Sequence, residues 1–390
     1  MKKNKEVYLD NASTTRIDQK VLREMLPYLS EKYGNPSSLH HQGRIARNAI
    51  EKTRETIASI LGAEKDEIIF TSGGTESDNL AILGIAEAYK NKGKHIIVSN
   101  IEHKAVLEAC KKLEKDGFEI TYLDVDRNGI ISLEQLRNSI RKDTILVSIM
   151  YANNEIGTIE PIKKISKIIK ESKISNPIFH TDACQAVQFL PVNVKNLGVD
   201  AMTISASKIY GPKGVGILYL RYGVNIEPVI IGGGQERNKR SGTENIASIV
   251  GIAKALKISE NKKNIEKNRL AKLCDYFLSK IKKEIKGVSI NGGIKNRLPN
   301  NINISIDNVE GESLVLMLDS KGIYCSTGSA CSSTEIKPSY VLTNIGVSAE
   351  KSHCSVRFSL GRYNKKSDID YTVKCLVECV NKLRNISTTK

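Results

Sequence analysis

The sequence predicts an α/β fold built on a largely parallel sheet, with a smaller α+β domain after it. Three observations predict it. Between residues 68 and 220, apolar runs of strand length alternate with stretches of helical period, the pattern of a layered α/β domain. Near Ala255 the alternation gives way to a long charged helical stretch, then to isolated strands and helices. The chain has 390 residues, 40% hydrophobic and 26% charged, which fits a globular protein with a large core and not a disordered chain.

The elements follow in order. Ile68-Ile69-Phe70 reads as a short buried strand, and Gly73-Gly74-Thr75-Glu76 opens a helix that runs to Tyr89. His95 to Val98 is a strand, Lys104 to Asp116 a helix ended by Gly117, and Phe118 to Tyr122 an alternating strand. Thr144 to Met150 is a strong apolar strand, with a helix from Ile162 to Glu171. Strands are expected at Pro177 to Thr181, Ala201 to Ser205 and Gly216 to Leu220. In the second part, Lys257 to Lys286 reads as a charged helix broken at Gly287. Ile302 to Ile306 and Ser355 to Leu360 are strand-like, Glu312 to Lys321 helix-like, and a final helix spans Lys366 to Leu383.

Composition excludes several classes. The 59 basic and 43 acidic side chains give a net charge of +16, but the lysines are scattered, and the dense stretches at Lys262-Lys263 and Lys282-Lys283 include glutamates. Scattered charge speaks for solvated helix faces, so direct nucleic-acid binding is not expected. No apolar stretch approaches the roughly 18 residues a membrane span needs. Met1 to Val7 is charged without a following apolar run, so no secretory signal is expected and the location is read as cytoplasmic. Eight cysteines without a signal argue against a disulfide scaffold, and no CxxC pair suggests a metal site. Cys375 and Cys379 share a helix face as small buried residues.

Polar stretches at strand ends carry the chemistry, because ligands of open α/β sheets bind there. Thr71-Ser72-Gly73-Gly74-Thr75-Glu76 joins a strand to a helix; it suits a phosphate on free N–H groups, or is a simple helix cap. Asp182, at the end of Phe179-His180-Thr181, would pair with a cation such as a protonated pyridine nitrogen, or cap a turn. Lys208 follows Thr203-Ile204-Ser205-Ala206-Ser207; it can form a Schiff base with an aldehyde, although most lysines are surface groups. A phosphate cradle, a carboxylate and an amine at successive strand ends are the three handles that pyridoxal phosphate requires.

The chain resembles the NifS/IscS-type cysteine desulfurases, pyridoxal-phosphate enzymes of fold type I. The motifs that carry the resemblance include Leu9-Asp10-Asn11-Ala12-Ser13-Thr14-Thr15, Gly34-Asn35-Pro36, Glu102-His103-Lys104, Asn153-Asn154-Glu155-Ile156-Gly157 and Asp182-Ala183-Cys184-Gln185. Lys208-Ile209-Tyr210-Gly211-Pro212, Arg240-Ser241-Gly242-Thr243-Glu244-Asn245, Gly328-Ser329-Ala330-Cys331-Ser332 and Arg357-Phe358-Ser359 complete the set, in family order over essentially the whole chain. The resemblance implies an aspartate-aminotransferase-like large domain over 15–256. It implies a small domain over 257–390, completed by 1–14, which carries the loop of the catalytic cysteine.

It also implies roles. Lys208 would hold the cofactor, Asp182 face the pyridine nitrogen, Gln185 donate to the ring hydroxyl and His103 stack on the ring. Gly74, Thr75, Ser205 and Ser207 would contact phosphate, and Thr243 would do so from a second subunit, implying a homodimer. Asn153 would lie near both cofactor and substrate, and Asn35 and Arg357 near the substrate; a guanidinium suits a planar carboxylate. Cys331, in a run of small residues, would take sulfur from L-cysteine and release L-alanine; Cys325 is the rival thiol that the motif sets aside. An iron–sulfur scaffold protein or another acceptor would take that sulfur. No resident metal is expected, with Cys331 at most a transient cluster ligand. Ser207 stands where the family commonly has a histidine. A selenocysteine lyase or other β-eliminase, or a non-catalytic sulfur carrier, are the alternative readings.

Overall fold

The computed structural model describes residues 5–327 and 338–386. A two-residue strand, β1 (Val7–Tyr8), precedes the central sheet of β2 (Ile68–Thr71), β3 (His95–Ser99), β4 (Glu119–Leu123), β5 (Thr144–Ser148), β6 (Ile178–Asp182), β7 (Ala201–Ser205) and β8 (Gly216–Leu220). These seven strands lie in the order β2-β8-β7-β6-β5-β3-β4. Neighbours from β7 through β4 are parallel, while β8 runs antiparallel to both β7 and β2. The expected α/β fold with a mainly parallel sheet is therefore present.

The two-residue period of a strand sends alternate side chains to opposite faces. Ile69, Ile96, Val98, Leu146, Ile178 and Leu218 pack with the helices Gly74–Tyr89 and Lys104–Lys115. Ile68, Phe70, Ile97, Val147, Phe179, Met202 and Ile217 belong to the core of the other face, with the helices His41–Leu61, Ile162–Glu171 and Ile246–Glu284. Because both faces are covered, the strands read as continuous apolar runs.

Beyond this sheet, β9 (Val288–Ile290), β10 (Asn301–Ile306) and β12 (Ser355–Ser359) form an antiparallel sheet in the order β12-β10-β9. β11 (Ile323–Tyr324) pairs in parallel with β1. Asp10 bridges Ser359, so the N-terminal segment lies against both β11 and β12. The long helix starts at Ile246 and not at Lys257. Its first residues, Ile246 to Ala253, are all buried, and a narrow stripe through Leu270, Phe277 and Ile281 follows. The onset of surface charge at Lys257 marks where one flank of the helix meets water, not where the helix begins. Cys375 and Cys379 are both buried on the final helix, Lys366–Ile386. Among the described residues no helix is long and apolar enough to cross a membrane.

Candidate active site

A cavity of about 580 Å³ opens where the parallel strands end. The turn after β2 contributes Ser72, Gly73, Gly74 and Thr75; the end of β6 contributes Asp182, Cys184 and Gln185; the end of β7 contributes Ser205, Ser207 and Lys208. His103, Asn154 and Glu155 come from the loops after β3 and β5, and Arg357 comes from β12.

The phosphate-type cradle is built by close packing. A helix begins at Gly74, so its first-turn N–H groups lack partners within the helix. A Cβ on Gly74 would stand 2.9 Å from Cys184 Sγ and 3.6 Å from Ser205 Cβ. On β8, a Cβ at Gly216 would stand 2.6–2.7 Å from the backbone of Gly73, so only glycine lets the turn settle there. Ser205 and Ser207 hydroxyls lie 3.0 Å apart opposite the turn. Glu76 also lines the cavity, but Arg240 clamps it, Nε to Oε1 at 2.8 Å, and the Ser72 N–H donates to Oε2 at 2.8 Å. Burial would raise the Glu76 carboxyl; the bonds from Arg240 and Ser72 outweigh it and hold the group below its ordinary value.

Lys208 ends a single helical turn, Ala206–Lys208, directly after β7. Its Nζ donates to the Ser13 carbonyl. The following Tyr210 is left-handed at φ 62 and buried, a conformation fixed from outside: its N–H donates to Thr15 Oγ1 at 2.8 Å and its carbonyl accepts the Asp18 N–H at 2.9 Å. Residues 13–18 thus clasp the lysine turn. Gln185 donates to the Ala12 carbonyl at 2.9 Å and joins the same clasp.

Asp182 accepts the Cys184 N–H at 2.8 Å through Oδ1. Beside it lie two titratable groups, of which Asp78 also lines the cavity. Burial, with the charge of Asp182 added, pushes the Asp78 carboxyl well above its ordinary value. Burial holds His180 down at about 4, so this ring is neutral between Ser148 Oγ (2.8 Å) and Thr203 Oγ1 (3.0 Å). With the Asp78 carboxyl raised and the His180 ring neutral beside it, Asp182 is left to face a cationic ligand group.

Arg357 is almost fully buried. Nη1 donates to the Asn154 carbonyl at 2.9 Å, and Nη2 to Asp10 Oδ1 at 2.8 Å and Ser13 Oγ at 2.7 Å. Its Nε has no partner among the described residues, and neither has Asn154 Oδ1. Unsatisfied buried donors and acceptors beside a cavity are what a polar ligand would complete. His103 caps the next helix, its Nδ1 accepting the Ala105 N–H at 3.1 Å.

Nine expected site residues therefore meet in one cavity: Gly74, Thr75, His103, Asp182, Gln185, Ser205, Ser207, Lys208 and Arg357. Three do not. Asn153 is buried in its own turn: Oδ1 accepts the N–H groups of Glu155 and Ile156, and Nδ2 donates to the Ile101 carbonyl at 3.0 Å. The neighbour Asn154 faces the cavity instead. Asn153 spends its side-chain oxygen on an Asx turn, and nothing in the pair Asn153-Asn154 says which of the two does so. Asn35 is exposed and accepts the Ser37 N–H at 2.9 Å, and Thr243 is exposed outside the cavity lining. Cys331 lies outside the described residues. Cys325 is buried, and burial raises its thiol, as befits a packing residue. Glu155, Tyr340 and Ser13 line the cavity and were not singled out.

Residues 7–372 match the family model described as Aminotransferase class-V. A cysteine desulfurase IscS of Dictyoglomus turgidum is 56% identical over 99% of this chain and 97% of its own length. The chain belongs to this family, among the IscS/NifS-type cysteine desulfurases. A solved structure described as a NifS-like protein superposes with a TM-score of 0.92 at 40% identity, covering 97% of this chain and 100% of that one. Another, described as SspA in complex with cysteine, gives a TM-score of 0.81 at 38% identity over 92% and 100% of the two chains.

Proposed function

We propose that this chain is a pyridoxal-phosphate-dependent cysteine desulfurase that moves sulfur from L-cysteine to its own Cys331. The observation that carries the reading is the convergence of Lys208, Asp182 and the Gly74–Thr75 cradle in one cavity. The donor set fits the cofactor: an amine for its aldehyde, a buried carboxylate for its ring nitrogen, Gln185 for its ring hydroxyl, and helix N–H groups with Thr75, Ser205 and Ser207 for its phosphate. Ser207 donates as the family histidine would, without titrating near neutral pH.

When bound, the cofactor supplies an electron sink for the amino acid's α-carbon. The chain's own residues do the rest. Arg357 Nε, buried and without a partner among the described residues, is the donor a substrate carboxylate takes, and Asn154 stands beside it. Lys208 Nζ carries protons at the α-carbon, and His103 holds or moves the proton of the substrate thiol. The Cys331 thiolate attacks the substrate sulfur. An S–S bond forms, the C–S bond breaks with its electron pair left on the three-carbon skeleton, and that skeleton takes up protons to leave as L-alanine. The Cys331 persulfide then passes its sulfur to an acceptor, an iron–sulfur scaffold protein or a thiolation partner, in the cytoplasm.

The cofactor-holding groups fall in residues 15–256, and the thiol in a small domain of 257–390 completed by 1–14. The pairing of β1 with β11 and the bridge from Asp10 to Ser359 support that division. Two copies form a homodimer in which Thr243 of one serves the phosphate of the other, and its exposure outside its own cavity supports that arrangement.

Borohydride treatment of the holoenzyme tests the reading. The cofactor becomes fixed on the Lys208 peptide, and Lys208→Ala abolishes alanine formation from L-cysteine. Fixation elsewhere, or undiminished alanine output from Lys208→Ala, contradicts it.

A further inference from the structure

We infer that the Arg54–Glu236 ion pair is a positioning device for the neighbouring subunit's cofactor site, because it holds the left-handed turn that presents Thr243. The inference rests on the shared-site reading above. Glu236 (φ 45, ψ 38), Arg237 (φ 59, ψ 42) and Asn238 (φ 65) are successive left-handed residues without a glycine among them. No other stretch among the described residues has even two in a row. Such a conformation costs free energy at every residue with a Cβ, and persists only where surrounding structure over-determines it.

Here the surroundings do so from below. Arg54 donates to both oxygens of Glu236, Nη2 to Oε1 at 2.8 Å and Nη1 to Oε2 at 2.9 Å. The Phe70 N–H donates to Oε2 at 2.9 Å, and the guanidinium lies 4.7 Å from the centre of the Phe70 ring. Both charged residues are buried, Arg54 at 4% and Glu236 at 6% exposure. Arg237 bonds Asp66, Ser241 Oγ donates to the Gly233 carbonyl at 2.7 Å, and the Gly242 N–H donates to Gln235 Oε1 at 3.0 Å. A surface loop with no task needs no desolvated ion pair beneath it. This one ends in Thr243, which is exposed and outside the cavity of its own chain.

Two mechanisms can be told apart. Glu236 also touches β2, which runs into its own chain's cradle, so a merely local role would act within one subunit. Cofactor binding, read as the fraction of Lys208 fixed by borohydride at rising pyridoxal phosphate, separates them. The Glu236→Gln homodimer is expected to half-saturate at about tenfold higher cofactor, the equivalent of one lost charged hydrogen bond. In a heterodimer of Glu236→Gln with Lys208→Ala, the one fixable lysine sits in the Glu236→Gln subunit and receives Thr243 from an intact turn. Its half-saturation is expected to return to that of the unaltered protein. A heterodimer as weak as the homodimer overturns the inference, since the defect then lies within the subunit. Should Glu236→Gln fail to fold, Arg54→Lys keeps the charge but loses the two-pronged bond, and the same rescue in the heterodimer is expected. A chain that runs as a monomer with full cofactor affinity overturns the shared-site reading itself.

Discussion

Glu102 is wholly buried beside His103. Its Oε1 accepts from Ser99 Oγ at 2.5 Å and from the Met150 N–H at 2.8 Å, while Oε2 has no partner among the described residues. Burial outweighs those bonds and pushes the carboxyl up from 4.5 to about 8. The native state therefore keeps a proton that the unfolded chain releases. By linkage, the contribution to stability is full below about pH 4.5 and is lost as pH rises toward about 8. Glu155, pushed up to about 7 by burial, acts in the same direction. Glu102→Gln keeps the acceptor and removes one titration, so melting temperature should fall less steeply across this window; an unchanged slope would contradict the assignment. At this scale the groups facing the cavity were legible where a motif placed a side chain at a strand end, as for Lys208 and Asp182. They were not legible where two neighbours share a chemistry. Asn153 and Asn154 differ only in which one bonds the backbone, and that is settled by the turn.

The cradle depends on two elements touching without side chains between them. Gly216→Ala on β8 would drive a methyl into the backbone of Gly73. The expected cost is about 1–3 kcal/mol of stability, as for other overpacked sites, with weaker cofactor binding alongside it. Chemical denaturation with and without pyridoxal phosphate reads both, and an unchanged midpoint would show that the turn yields freely. The strands of the large sheet were legible because burial on both faces leaves unbroken apolar runs. The antiparallel course of β8 was not drawn from the sequence, although too few residues separate Ser205 from Gly216 for a helical crossover to a parallel strand. The helix His41–Leu61 was missed for another reason. Thr53 and Arg54 sit on its buried face, and the partner that makes a buried arginine tolerable, Glu236, is 182 residues away. Local pattern carries no trace of such a pairing.

At the scale of the whole molecule, the cavity draws on both parts of the chain. Lys208, Asp182 and the cradle come from the large sheet, while Arg357 arrives on β12 and is held by Asp10 and Ser13 of the N-terminal segment. Described residues of the chain before position 328 and after position 337 lie beside this cavity. Ser326 bridges Arg357, Ser339 Oγ donates to Glu155 Oε2 at 2.5 Å, and Tyr340 donates to the Glu102 carbonyl at 2.6 Å. The ordered motifs made the family legible, but the reach of the Cys331 thiol is a matter of chemistry that can be weighed directly. The decisive measurement is the mass of the Cys331 peptide after the holoenzyme has turned over L-cysteine with no acceptor present. The account predicts a peptide heavier by one sulfur atom, with L-alanine formed alongside it. Alanine produced while that peptide keeps its original mass would contradict it.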